Sequence, residues 1–73
     1  MEKYLNLNGD SGVDSYEIGS DFIKVLFLKT SYLYTYSYRK AGKFHVDNMK
    51  ILAEKGRGLN SYINKNVYKL YDN

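Results

Sequence analysis

Tyr32, Tyr34, Tyr36 and Tyr38 recur at every second position, so a strand would set four phenol rings on one face. Such a face can work in two ways. Its rings can stack on nucleobases while nearby cations hold phosphates, or they can pack under a helix with their hydroxyls at the rim. Leu33, Thr35 and Ser37 fall on the other face and are too small and polar to build a core. That favours burial of Tyr34 and Tyr36 and leaves Tyr32, Tyr38, Tyr62 or Tyr68 as candidates for exposed rings.

A second cluster is Lys55-Gly56-Arg57-Gly58, placed just before a helical stripe. Free N–H groups and the dipole of a helix start favour an anion, and two cations stand beside them. The same glycines also suit a helix C-cap followed by a break, and the two roles are compatible. A dinucleotide fingerprint is excluded, because the third glycine is missing and a helix, not a strand, comes first. Gly9-Asp10-Ser11-Gly12 matches the nucleophile segment of chymotrypsin-like proteases, but that triad needs a far larger double barrel, a positioned histidine and an oxyanion hole. His45 is the sole histidine, with no companion nucleophile or carboxylate pair, and is expected to be structural. Neither an enzyme, a metal site nor a cofactor is expected.

Seventy-three residues make one small domain. The chain has no cysteine, which removes disulfides and thiolate metal sites and fits a reducing, cytoplasmic setting. No signal-like apolar run opens the chain, and the stretch 23–28 is broken by Lys24 and too short for a bilayer, so no membrane partner is expected. Charge is divided unevenly. Residues 1–21 carry five acids against Lys3 alone, whereas the remainder carries ten Lys and Arg against three acids, an electrostatic footprint that suits a polyanion but also serves solubility.

The elements that must position these groups follow from periodicity. Residues 1–12 form a polar leader ending in the turn formers Asn8-Gly9-Asp10-Ser11-Gly12, and the single domain is expected over 13–73. Strands are predicted at Val13–Ile18, at 22–28 and at 32–38, with turns at 19–21 and 29–31, giving an antiparallel meander. Val46, Met49, Leu52 and Ala53 then recur at helical spacing over 43–54. Leu59, Tyr62, Ile63, Val67, Leu70 and Tyr71 form the stripe of a second helix, with Asn60, Ser61, Asn64, Lys65, Tyr68 and Lys69 off it. The expected fold is α+β: a three-stranded antiparallel meander followed by two helices on one face, βββαα. That order matches neither an RNA-recognition motif nor a double-stranded-RNA domain.

Tyr34-Thr35-Tyr36, a helix ending at Ala53, the run Gly56-Arg57-Gly58-Leu59-Asn60-Ser61-Tyr62-Ile63-Asn64-Lys65-Asn66-Val67 and then Tyr71 resemble the KTSC domain. That short domain is named for the C-terminus of some lysyl-tRNA synthetases and also occurs as stand-alone bacterial and phage proteins. The resemblance spans 13–71, with two departures: no proline precedes the first helix, and the glycine-to-asparagine segment is two residues longer. It marks Tyr34, Tyr36, Gly58, Tyr62, Asn64 and Tyr71 as motif positions and implies, at most, RNA binding. Two functions are therefore carried forward. One is a non-enzymatic module for RNA or single-stranded nucleic acid using Tyr34, Tyr36, Lys55, Arg57, Gly58, Tyr62, Asn64, Lys65 and Lys69. The other is a protein-interaction or self-associating accessory domain of bacterial or prophage origin.

Overall fold

The computed structural model describes residues 1–7, 9, 12–28 and 32–72. Its elements are β1 (Glu2–Lys3), β2 (Val13–Ile18), β3 (Phe22–Phe27), β4 (Leu33–Ser37), α1 (Lys43–Lys55) and α2 (Leu59–Tyr62), the last running directly into a π-helical turn at Ile63–Val67. The sheet is antiparallel throughout and ordered β1-β2-β3-β4. The α+β class and the meander stand, but the sheet has four strands where three were expected. The turns predicted at 29–31 and over most of 8–12 lie outside the described residues.

β1 escapes a periodicity argument because two residues have no period. It holds through Tyr4, whose ring is buried and whose N–H donates to the Asp14 carbonyl at 3.0 Å. Asp14 is the extra residue of a bulge that sets Val13 opposite Phe27 and Ser15 opposite Leu26, and its carboxylate accepts from Lys3 Nζ at 3.2 Å. That pairing, followed by desolvation-opposed help from Ser15, holds the Asp14 carboxyl below its ordinary value.

The register places Tyr16, Val25 and Tyr34 in one row and Ile18, Ile23 and Tyr36 in the next. Both helices cover this face, as expected for the tyrosines. α1 contributes Val46, Met49 and Ala53 to the core, and the second helical segment contributes Leu59, Ile63 and Val67. β3 is the hinge of the pattern: Ile23 and Val25 are buried, whereas Phe22, Lys24 and Leu26 on the uncovered face remain half-exposed.

The second helix ends earlier than the predicted 59–71. A π turn widens the helix, so that residues spaced by four, Leu59, Ile63 and Val67, all point inward. The chain then leaves the helix, with the Leu70 N–H on the Val67 carbonyl at 2.8 Å and the Leu70 side chain exposed. It returns to the sheet, where the Asp72 N–H donates to the Thr35 carbonyl at 2.7 Å. Tyr71 meets the core from this strap and not from a helix, its ring lying 4.7 Å from Tyr34 and 6.3 Å from Tyr36, edge to face.

Candidate functional site

An open cleft of about 340 Å³ lies between the β4 side of the sheet and the second helical segment. Its sheet wall is Phe27, Tyr34 and Tyr36, and the strap adds Tyr71. The opposing wall is Asn60, Asn64 and Tyr68, spaced by four along the helical segment, with Lys69 beside them. Gly12 lines the cleft too.

The aromatic wall is held stiffly. Tyr34 is wedged edge-to-face among Phe27 at 5.4 Å, Tyr32 at 4.7 Å and Tyr71 at 4.7 Å. Tyr36, 2% exposed, sits deepest. Burial foremost, and then the neighbouring Tyr34 and Tyr71, pushes its hydroxyl well above the usual phenol value, so it stays neutral. The helical wall is free. Tyr68 is 62% exposed, and among the described residues the side chains of Asn60, Asn64, Tyr68 and Lys69 have no hydrogen-bond or ring partner. An aromatic slot bordered by two carboxamides, a phenol and one ammonium can hold a planar, hydrogen-bonding ring next to an anion.

Of the residues singled out in the sequence, Tyr34, Tyr36, Asn64 and Lys69 meet in this cleft. Lys55, Arg57, Gly58, Tyr62 and Lys65 do not line it. Gly58, at φ +83°, makes the left-handed step into α2, and Lys55, Arg57 and Lys65 are exposed. The first N–H of α2, on Leu59, is already taken by the Tyr4 hydroxyl at 3.2 Å, and the Gly56 carbonyl accepts from the Leu7 N–H at 2.7 Å. Tyr62 faces α1, with its Oη 2.7 Å from His45 Nδ1 and accepting from Asn48 Nδ2 at 3.1 Å, so His45 has a phenol partner. Asn60, Phe27 and Tyr68 also line this cleft and were not among those candidate site residues. The signal was present in Asn60, Asn64 and Tyr68, three off-stripe residues at a constant spacing.

The other end of the tyrosine face is closed. Tyr38 Oη donates to Asp47 at 2.5 Å and accepts from Lys50 Nζ at 3.3 Å, while Lys50 also reaches the Ser20 carbonyl at 3.1 Å. Lys43 Nζ binds the second Asp47 oxygen at 2.8 Å, and both ammonium groups lie over the Tyr38 ring, at 5.5 and 4.9 Å. The Lys43 hydrogen bond, then that from Tyr38, holds the Asp47 carboxyl below the usual range. At the β1–β2 edge, across the sheet from the cleft, Glu2, Glu17 and Glu54 gather around Tyr16. α1 thus adds Glu54 to the acids of the first strands, while Lys3 pairs with Asp14 at the same edge.

Among the described residues no three His, Asp or Glu side chains are placed to hold a metal, and no helix is long and apolar enough to cross a membrane. No family model, no curated protein and no solved structure matches this chain.

Proposed function

We propose that this protein is a small, non-enzymatic, KTSC-like module that binds single-stranded nucleic acid, RNA foremost, through the cleft between β4 and the second helical segment. The observation that carries the proposal is the pairing of a rigid aromatic wall with a row of unpartnered polar groups, Asn60, Asn64 and Tyr68, and with Lys69 at the same opening. Bases stack on rings without regard to sequence, and a cation beside the slot takes a phosphate. Four motif positions of the KTSC resemblance, Tyr34, Tyr36, Asn64 and Tyr71, share the cleft. The exposed cations Lys55, Arg57 and Lys65 extend the field that draws a strand in. A cytoplasmic, bacterial or phage setting accompanies the proposal, from the absence of cysteine and from that resemblance.

The test is a titration of labelled single-stranded RNA and matched DNA at two salt concentrations. Saturable binding whose salt slope falls by about one for Lys69→Ala supports the module; binding too weak to saturate at either salt sinks it.

A second reading has its own observation. Phe44, 74% exposed, and Ile51, seven residues on, stand out from α1, as an interaction surface for another protein or a second copy would. That reading expects a mass in sedimentation that rises with concentration and reverts with Phe44→Ser.

A further inference from the structure

The helical wall of the cleft carries two carboxamides one turn apart, Asn60 half-buried and Asn64 exposed, and neither has a hydrogen-bond partner among the described residues. Each carboxamide offers a donor and an acceptor side by side, and so pairs with a base edge that presents an acceptor next to a donor. Two such groups on one wall ask for a ring with two such edges. Adenine has them: its amino group stands between N1 and N7, so the Watson–Crick and the Hoogsteen edge each present one donor and one acceptor. Guanine presents two acceptors on its Hoogsteen edge, so its second donor–acceptor edge is N2–H with N3, which the attached sugar crowds, and pyrimidines lack a second such edge.

Building on the nucleic-acid reading above, we propose that the cleft takes one unpaired adenine of a single strand. Asn60 and Asn64 read its two free edges, the exposed Tyr68 ring stacks on the base, and Lys69 holds the adjoining phosphate. The cleft has the size for one base with its sugar, at the small end of ligand sites. Among the described residues one ammonium lines it, which suits one phosphate and not a run of acidic side chains. Among the described residues no carboxylate lines it, which removes a repulsive neighbour from the phosphate.

The test is fluorescence anisotropy of the full chain with short labelled oligomers of A, of C and of U, and with the A oligomer carrying 7-deazaadenosine, which lacks the N7 acceptor. The A oligomer is expected to bind about 10-fold tighter than the other two, the range of one good bidentate base contact. Asn64→Ala and Asn60→Ala should each remove most of that preference by weakening the A oligomer more than the U oligomer, and should leave the salt slope unchanged because no charge is removed. The 7-deaza oligomer should lose affinity for the wild type and lose nothing further for the variant whose amide reads that edge. Should all three oligomers bind alike, and Tyr68→Ala and Lys69→Ala still weaken each, adenine reading is overturned and the binding module stands. Should no oligomer bind saturably, both fall. Circular dichroism of both asparagine variants guards against misfolding, and because Asn64 is solvent-exposed its variant remains decisive if Asn60→Ala does not fold.

Discussion

The two ends of the tyrosine face are built from the same materials and finished in opposite ways. At the Tyr38 end, α1 supplies an acid and two ammonium groups, and the hydroxyl, both carboxylate oxygens and both lysines are mutually engaged. At the Tyr34 end, the second helical segment supplies amides, a phenol and an ammonium that engage nothing among the described residues. Buried polar groups are paired within the chain, whereas the exposed Asn64, Tyr68 and Lys69 are left to solvent, so this end keeps polar groups open to the partner proposed above. The contrast separates residues engaged within the fold from residues whose side chains are left open, although both sets include tyrosines and lysines on one surface.

Tyr36 belongs to both ends, and removing it should erase the contrast altogether. Tyr36→Ala is expected to cost about 3–5 kcal/mol in urea unfolding, the range for deleting a buried aromatic ring, and to abolish oligonucleotide binding with it. Tyr68→Ala should sharpen the contrast: oligonucleotide affinity falls by about 1–3 kcal/mol, one base–ring stack, while the urea midpoint stays put. Tyr38→Phe should show the reverse, a loss of about 1 kcal/mol in stability with binding intact, because only the hydroxyl's bonds to Asp47 and Lys50 disappear.

The smallest effect is expected in acid. The Asp47 carboxyl is depressed in the folded chain, so its stabilisation is present above the ordinary carboxylate value, about pH 4, and is lost as pH falls through the depressed one. Wild type and Asp47→Asn should therefore differ in thermal midpoint at neutral pH and converge well below pH 4. Asp14, depressed chiefly by Lys3, should leave the variant a residual acid slope. A gap between the two proteins that stays constant down to low pH would show that Asp47 stabilises by shape and not by charge.

Much of this arrangement was legible from the residues. Period two located β2, β3 and β4 to within a residue or two of their ends, and period 3.6 located α1, because each element is long enough to bury a repeating face. The tyrosines of β4 were placed against the helices on the grounds that Leu33, Thr35 and Ser37 could not build a core, and that side is indeed half-exposed. β1 was illegible because it depends on one buried ring and a bulge thirteen residues from the start of the chain, neither of which repeats. The end of the second helix was misplaced because a π turn resets the phase, and Tyr71 meets the core for a reason that helical spacing does not contain. The same limits apply to the site. Tyr34, Tyr36, Asn64 and Lys69, picked by type and periodicity, share the cleft, whereas the glycine loop at 55–58 drew attention because nothing in its own sequence reveals that Tyr4 occupies the helix N–H.

That hydrogen bond, from the Leu59 N–H to the Tyr4 hydroxyl, also has a bearing on synthesis. The partners are 55 positions apart, so a nascent chain that has exposed its first strands still lacks the group that Tyr4 must meet. The N-terminal corner can settle only once the start of the second helix has left the ribosome, which ties the first strand to the second helix and not to its neighbours in sequence alone. Fragments arrested before Leu59 would leave Tyr4 without that partner, and a protease should cut them near Tyr4 more readily than chains that include the second helix.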